Sequence, residues 1–188
     1  LTKKEIKTGE DTLKKFNIPS NAKIVCVTCR DSSYLRKKFP SKNFSHHDYR
    51  DCNIDNYIPA IKALLKKNFY VIRMGRTVNK KLNIKHKKFI DYPFHPLKSD
   101  LMDFFFAYKC YFWIGGLAGL ENIAITFRKP FLDLNMVPLL GLKITSKKTI
   151  LCLKIHKNHN NKKLSLNEMF KYGLVRTDRS EDFKRKKI

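Results

Sequence analysis

Glycine and proline are scarce, seven of each in 188 residues, which excludes collagen-like and low-complexity chains. Cysteine is also sparse. Five occur, and the C-x-x-C formed by Cys26 and Cys29 has no second pair at zinc spacing. It lies in an apolar run with the pattern of a strand, so buried thiols are the simpler reading. With no signal-peptide pattern, free thiols point to a reducing, cytoplasmic setting. Long hydrophobic runs are missing too. The most apolar stretch, Leu101 to Phe127, is interrupted by Asp103, Lys109 and Glu121, and its uncharged pieces fall far short of the ~20 residues a spanning helix needs.

Familiar catalytic signatures are missing as well. There is no H-E-x-x-H pair, no Cys-x5-Arg phosphatase loop and no D-x-D. Without paired carboxylates at metal spacing, the expectation is no metal and no cofactor. Acidic residues number 16 against 40 basic ones, a net charge of +24. Only nine of the 40 are Arg, and the rest are Lys. Arg is the fork-shaped group that reads phosphates and bases, whereas Lys is a solvated point charge. The Lys and Asn excess, as in Asn158 to Lys163, fits an AT-rich coding sequence with a general affinity for anions. The alternative is a functional patch for a polyanion or an anionic membrane surface, through clusters such as Lys80–Lys81, Lys85–Lys88 and Lys184–Lys187. No RRM or KH signature accompanies them, so no specific nucleic acid is expected.

What is present is alternation. Residues 4–16 predict an amphipathic helix, and Lys23–Cys29 a buried strand. A long polar loop covers 30–53, and a helix Asp55–Lys67. Strands follow at Phe69–Met74 and Lys88–Tyr92, separated by a basic connection at 76–87. A helix capped by Ser99 spans Asp100–Tyr108. Then come a strand at Cys110–Ile114, a glycine turn, a helix at Leu120–Phe127 and a strand at Phe131–Leu134. Thr149–Ile155 predicts a sixth strand at an edge, 164–171 a helix, and 177–188 a charged, frayed tail. The pattern predicts one Rossmann-like α/β domain over 1–176, with a mostly parallel sheet and helices on both faces.

Such sheets bind ligands at the carboxyl ends of their strands. The candidate residues are therefore those that follow each strand. Arg30 and Asp31 follow the first, and the next loop carries His47, Tyr49 and Arg50, a polar-aromatic mixture suited to sugar and nucleotide contacts. Arg73 and Gly75 close the second strand. Asp100 opens the helix after the third. Gly115, Gly116 and Gly119 allow a ligand close to the backbone, with Leu120 and Glu121 opening the helix behind them. For each there is a plain structural alternative: an ion pair for Arg30, a packing turn for the glycines, a favourable helix end for Glu121. No general base stands out, with Asp31 and His47 as candidates.

Several strings occur in order: VCVTCRDSSY, then HHDYRDCNIDNYIPAIKALLKKNFYVIRMGR, then FIDYPFHPLKSDLMDFFFAYKCYFWIGGLAGLENIAITFRKPFLDLN. Between about Lys23 and Asn135 they resemble an uncharacterised family of bacterial glycosyltransferase-like proteins. More distantly the chain is similar to the donor-binding half of GT-B glycosyltransferases, including fucosyltransferases with an H-x-R motif. The resemblance implies transfer of a sugar from a nucleotide diphosphate sugar to a glycan or lipid-linked acceptor, without metal, at the inner face of the membrane. It assigns Arg30 to the donor diphosphate, and the backbone of Gly116, Gly119 and Leu120 to donor phosphates or ribose. Two departures stand out. Thr28 occupies the place of the motif's His, and only the helix at 4–16 precedes the first strand. The resemblance therefore implies an acceptor domain truncated here or supplied from elsewhere, or a domain that binds without catalysis.

Overall fold

Short β-branched and aromatic runs alternate with helices, and the alternation closes into a single sheet. The computed structural model describes residues 1–116, 118–141 and 147–188. Helix α1 (Lys3–Lys15) leads into strand β1 (Ile24–Val27), helix α2 (Ser33–Lys38) and helix α3 (Ile58–Lys66). Strands β2 (Tyr70–Arg73) and β3 (Phe89–Asp91) precede helix α4 (Asp100–Lys109) and strand β4 (Phe112–Gly115). Helix α5 (Glu121–Thr126), strands β5 (Phe131–Met136) and β6 (Thr149–Leu153), and helices α6 (Leu166–Lys171) and α7 (Ser180–Arg185) complete the order. All neighbouring strands are parallel, in the order β3-β2-β1-β4-β5-β6. The chain thus builds outwards from β1, returns to the centre, and builds outwards the other way from β4. This is the expected Rossmann-like α/β class, and the reversal between β1 and β4 is its topological switch point.

Side chains alternate across the sheet. Ile24, Cys26, Ile72 and Trp113 meet Leu13 of α1 and Met102 and Phe105 of α4 on one face. Val25, Val27, Val71 and Ile114 meet Ile61 and Leu65 of α3 on the other. Thr2 and Glu5 form a capping box at the start of α1, satisfying two otherwise unpaired amides. Ser99 caps α4 as expected, its hydroxyl accepting the Met102 N–H at 3.2 Å.

Two segments differ from expectation. The 30–53 loop contains α2 and a 3-10 turn over Ser45–Arg50. Asp31 Oδ1 accepts the Ser33 N–H at 2.9 Å and so starts the helical turn. The C-terminal tail is docked rather than frayed. Phe183 is buried between the rings of Tyr49 and His156, at 5.3 and 5.5 Å. Ser180 Oγ accepts the Tyr49 N–H at 3.0 Å. One phenylalanine among charges gives no periodic signal, so this docking was invisible in the pattern. Leu117, inside the expected glycine turn, lies outside the described residues.

Arg73 was expected to face the ligand crevice. It lines a small cavity of about 370 Å³ beside Asp31 and Asp51, while its guanidinium sits 3.1 Å from Asp91 Oδ1, with side-chain exposures of 2% and 7%. It also donates to the Lys80 carbonyl at 2.6 Å, while Asp91 Oδ2 accepts the Leu82 N–H at 2.7 Å. This pair therefore ties the basic 76–87 connection to β2 and β3. Breaking a buried pair from one side leaves an uncompensated charge, at about 3–5 kcal/mol. Asp91→Ala should lower stability by that amount in urea unfolding, and Arg73→Met combined with Asp91→Ala should recover most of the loss. Equal instability of the single and double variants would show that the buried charge is not the cause.

Candidate functional site

A cavity of about 490 Å³ opens at the carboxyl ends of β1, β2 and β4. Its wall is built from three strand-following segments: Thr28 to Asp31, Met74 to Val78, and Ala118 to Leu120. Tyr34 and Leu35 of α2, Arg50 and Ile123 complete it. The two crossovers leave β1 and β4 in opposite directions, so no connection covers the gap between them. Thr28 forms part of the wall through a side chain already engaged. Its Oγ1 accepts the Trp113 indole N–H at 3.0 Å, and the residue is 2% exposed.

Three guanidinium groups line this cavity, each in a different electrostatic state. Arg30 forms an ion pair with Asp51 and donates to the His47 carbonyl at 3.2 Å. Burial raises the Asp51 carboxyl above its ordinary range, against the opposing pull of Arg30. Arg76 pairs with Asp100, both largely in solvent. Arg50 makes no ion pair among the described residues; its Nε is buried without a hydrogen-bond partner. Its guanidinium lies 5.8 Å from the Tyr49 ring centre. Burial first, then the Arg30 charge, lowers its pKa, against a smaller opposing pull from Asp51. The one carboxylate in the lining, Asp31, is held by backbone, with Oδ1 on Ser33 N–H and Oδ2 on Asn79 N–H at 2.9 and 3.0 Å.

The glycines divide into two roles. A Cβ on Gly115 would lie 2.1 Å from Thr28 Oγ1, and one on Gly116 1.9 Å from the Leu134 carbonyl oxygen. Both are therefore required by strand packing. Gly119 lines the cavity, and a Cβ there would meet nothing within 4 Å. Gly75, with φ of +156°, also lines it. The start of α5 is partly self-satisfied, since Asn122 N–H donates to the Gly119 carbonyl at 3.3 Å and Ile123 N–H to that of Leu120 at 3.2 Å.

Of the residues singled out from sequence, Arg30, Asp31, Arg50, Gly75, Gly119 and Leu120 come together in the lining. His47 and Tyr49 stand behind it: the His47 ring lies 3.9 Å from that of His46, and burial lowers its pKa. Glu121 is buried under the end of β4, its carboxylate 3.2 Å from where a Gly115 Cβ would be. Asp100 is exposed on Arg76, and Arg73 is committed to Asp91. Sequence reasoning missed Thr77, Val78, Ala118 and Ile123 as wall residues. Thr77 and Val78 sit in an irregular connection without periodicity, and only their place after a strand end could have pointed to them.

A further missed residue is Asp133, paired in register with Gly115. It is 7% exposed, its Oδ1 lacks a hydrogen-bond partner, and burial pushes its pKa up to about 6. The folded protein thus holds this proton more tightly than the unfolded chain does. That contribution is full below about pH 4 and is lost as pH rises to about 6, by at most about 3 kcal/mol. Asp133→Asn should therefore raise the melting temperature at about pH 7.5 and leave it nearly unchanged at about pH 4. An equal shift at both values would mean that charge burial at Asp133 is not responsible.

No protein-family model matches the chain, and no curated protein matches it. Among solved structures it is similar to that of the E. coli ADP-heptose LPS heptosyltransferase II, at 13% identity and a TM-score of 0.49. The similarity covers 80% of this chain and 43% of that one, so the chain spans less than half of that structure's length.

Proposed function

We propose that this domain binds a nucleotide diphosphate sugar in the switch-point cavity and serves as the donor half of a metal-independent glycosyltransferase. The observation that carries the reading is Arg50. A partly buried guanidinium without a carboxylate partner, lining a cavity at the carboxyl ends of parallel strands, suits a diphosphate. Arg30 stands beside it, held in place by Asp51. Arg76 borders the same opening. The motif resemblance across Lys23 to Asn135 supports a sugar nucleotide over other anions.

In the reaction, negative charge grows on the departing diphosphate. Fixed positive groups that need no reorganisation stabilise that charge in place of a metal ion. Gly119, with open space above it, lets the ligand approach the backbone. Asp31 is the carboxylate in the cavity lining; its two amide partners hold it oriented, which suits positioning a sugar hydroxyl. The acceptor, a glycan or a lipid-linked sugar, would be presented by a further domain or a second chain, at the cytoplasmic face of a membrane. Among the described residues no helix is long and apolar enough to cross a membrane.

A second reading, nucleotide binding without transfer, is favoured by Thr28. This side chain replaces the motif's His and is spent on Trp113. Incubation with nucleotide sugars separates the two readings, because only transfer or hydrolysis releases the nucleotide.

The binding itself is tested by melting temperature. A ligand at about 100 times its Kd adds about 2.7 kcal/mol, a rise of several degrees for a chain of this size. UDP or GDP at millimolar concentration should produce it, and EDTA should leave it unchanged. Arg50→Ala should abolish the nucleotide-dependent rise with little change in the free protein. Arg30→Ala should also destabilise the free protein, since Asp51 then loses its partner. No rise with any nucleotide would refute the donor-site reading, and loss of the rise in EDTA would refute metal independence.

A further inference from the structure

The sequence presents one thiol pair, Cys26 and Cys29, but the fold separates them. Residues three apart on an extended segment face opposite sides of a sheet. Cys26 packs into the α1/α4 face close to Cys110, and both are buried. Cys29 packs on the α3 face, where it meets Cys52. The Cys29 sulfur lies 3.3 Å from the Cys52 carbonyl oxygen, and the Cys52 N–H donates to the Arg30 carbonyl at 3.0 Å. The Cys52 sulfur lies 3.5 Å from the Arg50 carbonyl oxygen, and the two thiols perturb each other's protonation. Both are partly open to solvent: Cys29 faces the switch-point cavity, and Cys52 a neighbouring one of about 370 Å³.

We propose that Cys29 and Cys52 are a redox-active dithiol, closing to a disulfide when the protein meets a hydroperoxide. Cys52 is the attacking sulfur. Interaction with the Cys29 side chain lowers its pKa to about 7, with help from the Lys154 ammonium, while the same interaction raises that of Cys29. Lys154 is held in place by the Asp51 carbonyl at 3.1 Å. The Cys52 thiolate attacks the terminal peroxide oxygen, the O–O bond breaks, and the alkoxide leaves and takes up a proton as the alcohol. Cys52 is then a sulfenic acid. The Cys29 sulfur attacks the Cys52 sulfur, the S–O bond breaks, and hydroxide leaves with the Cys29 proton as water. Two thiols are oxidised by two electrons, and the hydroperoxide is reduced to alcohol and water.

The bond would bracket the segment that carries Arg30, Arg50 and Asp51, since Arg30 follows Cys29 and Asp51 precedes Cys52. Cys26 and Cys110 form the comparable pair, but they are 0% and 2% exposed, so a peroxide in solution reaches Cys29 and Cys52 first. This inference stands independently of the nucleotide reading, because it needs only the two sulfurs and their access to solvent.

The test uses the full chain carrying Cys152→Ser, which removes the one exposed thiol. After brief treatment with hydrogen peroxide, peptides are mapped by mass spectrometry without reductant. The expected product joins the peptides of Cys29 and Cys52, two hydrogens lighter than their sum, and is reversed by dithiothreitol. Cross-linking a segment of this length should raise the melting temperature by roughly 5–10 °C. In Cys29→Ser the resolving sulfur is gone, so Cys52 should remain a sulfenic acid that dimedone traps. The proposal is overturned if Cys52 passes to sulfinic acid while Cys29 stays alkylatable. It is equally overturned if both thiols remain alkylatable under conditions that oxidise Cys152 in the parent chain.

Discussion

The site depends on how closely β1 and β4 approach each other at the centre of the sheet. Thr28 N–H donates to the Ile114 carbonyl at 2.8 Å, and Thr28 Oγ1 receives the Trp113 indole N–H at 3.0 Å. Gly115 has no side chain to hold the strands apart, because Thr28 Oγ1 occupies the space a Cβ would need. Trp113 is fully buried, and its one polar atom is satisfied by this bond. The strand ends are thereby fixed side by side as a rigid floor. The chain leaves in opposite directions from this floor, and the crevice above it stays open.

Around this floor the charges sort by burial. Arg73 and Asp91 are sealed in and hold the connection after β2 to the sheet. Arg30 and Asp51 are half-sealed and fix the loop after β1. Arg76 and Asp100 lie in solvent, where such a pair contributes little. Arg50 is the exception: it is partly buried, lines the cavity and carries an unpartnered Nε. The C-terminal segment supports this arrangement from behind. Ser180 and Phe183 hold Tyr49, the residue before Arg50, through a backbone bond and a ring contact. A segment remote in sequence thus positions the candidate anion ligand.

The fold class was legible because it rests on local pattern. KIVCVTC, FYVIRM and CYFWI are short apolar runs between helices, and buried parallel strands look like this. The position of the cavity followed from one rule about strand ends, which is why Arg30, Asp31, Gly75 and Gly119 line it. Roles within the site were less legible, since they depend on partners far along the chain. Arg73 and Arg50 are alike in sequence, yet Asp91 neutralises the first and no carboxylate among the described residues pairs with the second. Gly116 and Gly119 belong to one turn, but the Leu134 carbonyl crowds only the first. The Cys26-x-x-Cys29 spacing suggests a pair that the sheet places on opposite faces. Asp133 gave no signal, because a single acid in FLDLN reads as the polar position of a strand.

The central claim is that the β1/β4 crevice, rather than the lysine-rich surface, is where this protein holds a diphosphate. The most direct measurement is a titration of the ¹⁵N-labelled chain with UDP and with inorganic pyrophosphate, followed by amide chemical shifts. The account predicts saturable shifts concentrated at Cys29 to Asp31, Gly75 to Val78 and Gly119 to Leu120, together with the Arg50 side chain. Shifts confined to the Lys157–Lys163 and Lys184–Lys187 segments, weak and non-saturating, would contradict it.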